Sequence, residues 1–158
     1  MRERIRTTRD GFSLLEVVIV VAIIAILAAI GIPRMSRGSK GANDSALSGD
    51  LAVLRNAIDL YAAEHGGSMP GVLTIVDQLT KYSNASGATS ADKTGAYIYG
   101  PYIRKIPPLP VGTTRKGATG IAAADAAGIG WLYDVATGSI TANTGTDADE
   151  AGTLYTSY

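Results

Sequence analysis

From Val17 to Ile32 the chain runs for sixteen residues without one charged or hydrogen-bonding side chain. The apolar character reaches back to Phe12, broken only by Ser13 and Glu16. No other feature restricts the fold so sharply. As a helix of about 21 residues, this segment would extend about 31 Å, close to the roughly 30 Å hydrocarbon layer of a bilayer. A helix resting on a soluble core would show polar residues on its outer face at a 3.6-residue period. This one shows none, so it needs lipid or protein on every side. Ahead of it Arg2, Arg4, Arg6 and Arg9 outnumber Glu3 and Asp10, a charge of +2 that leaves −2 for the rest of a chain whose 14 basic and 14 acidic residues cancel. That arginine excess keeps the leader cytoplasmic and sends the chain beyond Pro33 outward.

A basic start followed by an apolar run also describes a secretory signal peptide or a plain single-pass anchor. The run is longer than a signal-peptide core and lacks a small-x-small cleavage site at a fitting distance. Glu16 argues against both readings, since a carboxylate at membrane depth costs about 3 kcal/mol and an anchor gains nothing from it. The residue makes sense if processing creates a partner for it. Cleavage between Gly11 and Phe12 would expose an α-amine that is cationic at neutral pH. Two unit charges at about 4 Å attract by roughly 4 kcal/mol at an effective dielectric of 20, comparable with the burial penalty. Glu16 lies four residues from Phe12, so the pair can form within one helix or between neighbours.

Gly11-Phe12-Ser13-Leu14-Leu15-Glu16, the apolar run and Pro33 together resemble the leader and N-terminal helix of type IV pilins and pseudopilins. The resemblance implies cleavage after Gly11 by a membrane aspartyl prepilin peptidase, N-methylation of Phe12 and use of Glu16 in subunit docking. It implies as well that the helix loosens around Gly31 and Pro33 when packed in a filament. Phe12 is the one Phe of the chain.

Beyond Pro33, Leu47, Leu51, Leu54, Ile58 and Tyr61 recur at spacings of four and three, one apolar stripe on a helix that should stop near Gly66-Gly67. Asp44, Asp50, Arg55, Asp59 and Glu64 fall mostly off the stripe, as a solvated face would. Thr74 and Asp77 resemble a capping pair for a short second helix carrying Ile75, Val76, Leu79 and Tyr82. Residues 83–95 read as an exposed loop. Trp131–Val135 and Ile140–Asn143 alternate across a turn and predict a β-hairpin, with Trp131, Tyr133 and Val135 on one packed face. The expected fold is therefore α+β and type IV pilin-like: a long N-terminal helix packed on a small antiparallel sheet. Its parts are a leader (1–11), a membrane or filament-core helix (12–33), an amphipathic half (34–66) and a C-terminal globular domain (67–158) with a hairpin at 131–143. About a hundred residues is enough for one modest core.

The segment Tyr99-Gly100-Pro101-Tyr102-Ile103-Arg104-Lys105-Ile106-Pro107 resembles one typical of the major pseudopilin of type II secretion systems, although Leu109-Pro110-Val111-Gly112 stands where that family usually has Asp-Pro-Trp-Gly. Asp147, Asp149 and Glu150 place three carboxylates in four residues beside Gly145 and Gly152. Hard oxygen donors at that density can hold calcium, and major pseudopilins often bind it in a C-terminal loop, so calcium is the candidate ligand here. A solvated acidic turn is the alternative, and the spacing is not that of an EF-hand. No other cofactor is expected. With no Cys, a single His65 predicted as an exposed cation at a helix end, and no phosphate loop or nucleophile elbow, nothing points to an enzyme. Balanced charge gives no footprint for nucleic acid, and the pairs Arg104-Lys105 and Arg115-Lys116 read as solubilising surface. Asn43-Asp44-Ser45 and Asn84-Ala85-Ser86 match the N-glycosylation pattern by composition alone.

The expected function is a filament subunit of a secretion pseudopilus or type IV-like pilus. Its precursor sits single-pass in the inner membrane, and the assembled form is periplasmic or extracellular. Expected partners are identical subunits, the prepilin peptidase and N-methyltransferase, an inner-membrane assembly platform, and lipid before assembly. An adhesive or DNA-handling pilus, and a permanent membrane-anchored binding module, are the alternatives.

Overall fold

The computed structural model describes residues 11–158, and of residues 31–37 the backbone alone. The leader therefore lies outside the described residues except for Gly11, as does the side chain of Pro33. The chain forms two compact units divided between Ser39 and Lys40.

Helix α1 spans Leu14–Glu64. Its first turn opens with the Ser13 carbonyl accepting the Val17 amide at 3.2 Å. Leu and Ala carry the early turns with little conformational cost, and the Val and Ile residues, each held to one rotamer, cost slightly more. In the first unit every large apolar residue from Leu14 to Ile30 is exposed, from 47% for Val20 to 82% for Leu14. Among the described residues no helix is long and apolar enough to cross a membrane. The predicted membrane segment continues into residues 31–33, whose side chains are not described.

In the second unit the α1 stripe behaves as its spacing requires, for Leu47, Leu51, Leu54, Ile58 and Tyr61 are all buried. Gly66 and Gly67 stop the helix with φ of 64° and 87°. The Gly67 amide reaches back to the Ala62 carbonyl at 2.7 Å, a Schellman closure that needs the left-handed residue glycine tolerates. Helix α2, Ile75–Thr80, buries Ile75, Gln78 and Leu79. Thr74 stands at its N-cap without capping it, because its hydroxyl donates back to the Gly71 carbonyl. Tyr82, expected on this helix, instead starts strand β1 (Tyr82–Ser83), which pairs antiparallel with β2 (Thr89–Ser90). The loop expected over 83–95 thus contains a two-stranded ribbon. Its turn is organised by Asn84, whose Oδ1 accepts from the amides of Ser86 and Ala88 and from the Ser86 hydroxyl.

Strands β3 (Gly120–Ala122), β4 (Ile129–Asp134) and β5 (Ser139–Ala142) form the main sheet in that order. The predicted hairpin is β4–β5, antiparallel with Trp131 opposite Ala142 and Tyr133 opposite Ile140. Asp134 shapes its turn, its carboxylate accepting the Ala136 amide and the Thr137 hydroxyl at 2.9 Å each, while Gly138 at φ 72° closes it. The sheet is mixed and not purely antiparallel, because β3 joins β4 in parallel with a register shift after Gly120. Gly130 sits at that irregularity, where a Cβ would stand 2.2 Å from the Ala118 carbonyl oxygen. Trp131 and Tyr133 are buried, but Val135 lies beyond the end of β4 and is 42% exposed. Their polar tips are answered within the core: Trp131 Nε1 donates to the Pro107 carbonyl at 2.9 Å, and the Tyr133 hydroxyl donates to that of Pro70 at 3.1 Å.

Candidate functional site

Two regions carry the residues singled out by the sequence, one in each unit. In the first, Gly11, Phe12 and Ser13 precede the helix in non-helical backbone, and Phe12 is 79% exposed. Among the described residues nothing stands within 4 Å of where a Gly11 side chain would begin. Gly11 and Phe12 thus lie in exposed, non-helical backbone, the kind of segment in which proteolytic cuts concentrate. Glu16 occupies the first turn of α1 and is exposed. There its charge faces the unpaired amides of the helix start, a favourable placement for an anion that the motif alone does not reveal. A new amine at Phe12 would bring a positive charge to the same end of the helix.

The second region is the acidic loop near the C-terminal end. Asp147, Asp149 and Glu150 line a cavity of about 280 Å³ together with Lys40, Lys116 and Tyr155. Each carboxylate already has protein partners. Asp147 Oδ2 accepts the Thr113 amide at 2.7 Å and its hydroxyl at 3.0 Å. Asp149 Oδ1 accepts the amides of Ala151 and Thr153, both at 2.8 Å, and its Oδ2 accepts the Tyr158 hydroxyl at 2.7 Å. Glu150 Oε1 lies 3.8 Å from Lys40 Nζ. The Tyr158 hydroxyl, then the Thr153 amide, hold the Asp149 carboxyl below its ordinary range, and the same carboxylate pushes the Tyr158 phenol up to about 12. Calcium takes six to eight oxygens at about 2.3–2.6 Å. Among the described residues no group of three or more His, Cys, Asp or Glu side chains is disposed to hold a metal ion.

Several residues read as surface are in fact structural. His65 is buried at 9% exposure instead of standing free at the helix end. Its ring stacks on Tyr61 with centroids 3.9 Å apart, Nδ1 faces the Tyr61 carbonyl at 2.9 Å, and Nε2 lies 3.0 Å from the Asn84 carbonyl and 3.2 Å from Ser83 Oγ. Three charged residues off the apolar stripe of α1 also have partners. Asp44 accepts the Tyr155 hydroxyl at 2.9 Å, Arg55 donates to the Tyr158 carbonyl at 2.5 Å, and Glu64 accepts the Tyr102 hydroxyl at 2.6 Å. Arg115 forms a bidentate pair with Asp125, and Asn143 donates to Asp125 as well. Apart from the Tyr61 contacts of His65, the pairings that distinguish these residues join different elements, and no local pattern marks them. Arg104 and Lys105 remain exposed.

Residues 6–32 match the family model described as the prokaryotic N-terminal methylation motif. That motif is typical of type IV pilins and pseudopilins, and it implies prepilin-peptidase processing and a membrane-anchored precursor. No curated protein and no solved structure gives a significant match to the chain.

Proposed function

We propose that this chain, which carries the N-terminal methylation motif of pilin-like proteins, is the structural subunit of a helical extracytoplasmic filament. The observation that carries the reading is the apolar stretch of α1 exposed around its whole circumference, directly behind an exposed Gly11–Phe12 segment and Glu16. Exposed apolar surface on that scale requires a covering. Lipid supplies it in the precursor and neighbouring helices supply it in the polymer, so the surface never meets water. Exchange of lipid for helices brings no hydrophobic gain in itself, and association then depends on packing and polar contacts. Pairing of Glu16 with the new amine of a neighbour provides such a contact, sets an axial register and makes assembly conditional on cleavage.

Within this reading the precursor is single-pass in the inner membrane with its leader cytoplasmic. It is cut after Gly11, methylated on Phe12, and delivered by an assembly platform to a homopolymer in the periplasm or outside the cell. Residues Tyr99–Pro107 favour a type II secretion pseudopilus, and hence protein transport, over an adhesive or DNA-handling pilus. The role is architectural and requires no catalytic group.

Intact mass and N-terminal sequencing of membrane and sheared surface fractions test the proposal in cells with and without prepilin peptidase. A mature chain beginning at methylated Phe12, found outside the membrane only when the peptidase is present, is expected. An uncut chain confined to membranes of both strains would replace the filament with a permanent anchor. Glu16→Gln should insert and be cleaved yet fail to polymerise, and normal filaments from that variant would remove the docking role.

A further inference from the structure

The resemblance of this chain to major pseudopilins makes Asp147, Asp149 and Glu150 candidate calcium ligands, yet the groups around these carboxylates are of another kind. A calcium loop presents oxygens converging on one point. Here Oδ2 of Asp147 and both carboxylate oxygens of Asp149 accept from N–H and O–H groups of the chain itself, five donors at 2.7–3.0 Å. Two ammonium side chains, Lys40 and Lys116, line the same cavity, and a divalent cation would be repelled by both. The Thr113 donors come from a distant part of the chain, and the others from within nine residues of Asp149. Thr113 follows the proline-rich segment, and Tyr158 lies beyond the final 3-10 turn, Tyr155–Ser157. Tyr158 is itself held by Arg55 of α1 through its backbone carbonyl, so the Asp149 contact connects the loop to the helix.

We propose that this acidic loop is closed by hydrogen-bond donors of its own chain, with the Tyr158 hydroxyl on Asp149 as the latch, in place of a divalent cation. The loop keeps its conformation in chelator and loosens when the latch is removed. The proposal concerns the second unit alone and stands whether or not the chain polymerises.

Glu150 is exposed on the loop, which makes cleavage after it by a Glu-specific protease a direct reading of local opening. The experiment uses the full chain in detergent micelles, with calcium chloride or EDTA as the only variable, and follows the Glu150 cut by mass spectrometry. The wild type should be cut at the same rate in both solutions. Tyr158→Phe should be cut several-fold faster in both while retaining the wild-type circular dichroism spectrum. If Tyr158→Phe does not fold, Thr113→Val, which keeps the backbone amide on Asp147 but removes the hydroxyl, should give a smaller acceleration of the same cut. Several-fold protection of the wild type by calcium, or unchanged cleavage in the latch variant that folds, overturns the proposal.

Discussion

Deleting one hydroxyl from the centre of the second unit isolates a single buried interaction. Tyr133 is 2% exposed and its hydroxyl donates to the carbonyl of Pro70, itself among the fully buried residues. Tyr133→Phe keeps the ring and its packing but leaves that carbonyl without its donor. A buried acceptor so orphaned costs about 1–3 kcal/mol. At roughly 4 °C per kcal/mol for a domain of this size, the midpoint should fall by about 4–12 °C. Trp131, the one tryptophan, is buried two residues away on the same strand, so its fluorescence reports the transition without any added label. A second arm uses pH. Burial, followed by the neighbouring Asp134 charge, pushes the Tyr133 phenol up to about 12. A phenol whose folded pKa is raised contributes stability that is fully present below its unfolded value near 10 and is lost as pH climbs through 12. Wild-type stability should therefore decline between about pH 10 and 12, and the decline should be shallower in Tyr133→Phe. A midpoint shift below about 1 °C at neutral pH would show that the Pro70 carbonyl does not depend on this donor, and the reasoning would fail.

Gly130→Ala places a Cβ 2.2 Å from the Ala118 carbonyl oxygen, a backbone atom that cannot swing away. It should destabilise the second unit by about 1–3 kcal/mol or more, read as a lower denaturant midpoint with an unchanged slope. Leu54→Ala, at a fully buried position on α1, should cost about 2–5 kcal/mol in the same assay, whereas Leu73→Ser, at a position 99% exposed, should change stability by less than about 0.5 kcal/mol. If the two leucines behaved alike, the assignment of the core would be wrong.

The parts of this fold readable from sequence are those governed by short-range periodicity. Leu47 to Tyr61 repeat with the helical period and are buried, Gly66 supplies the left-handed residue a helix end needs, and the alternation through Trp131 and Tyr133 finds its strand. The remainder depends on partners far away in the chain. Residues 120–122 are too short to show a period, and their parallel pairing arises only once β4 stands beside them. His65 looks like a terminal cation until Ser83 and Asn84 fold over it. Asp149, read as a candidate metal ligand, also accepts the hydroxyl of Tyr158, a contact that no short-range pattern announces. At the N-terminal site the order is reversed. The motif is local, so Gly11, Phe12 and Glu16 are legible at once, and the structure adds the exposed non-helical segment and the position of Glu16 in the first turn.

The Tyr155 hydroxyl on Asp44 joins residues 111 positions apart, and the Tyr158 carbonyl on Arg55 joins residues 103 apart. The second unit thereby finishes where it starts. In mechanical terms, a pull between α1 and residues 155–158 meets these contacts before it reaches the sheet, because that segment is already fastened to the helix. The hairpin and the ribbon lie inside the resulting closed path as slack. They are shielded from tension for as long as two tyrosines and one arginine hold.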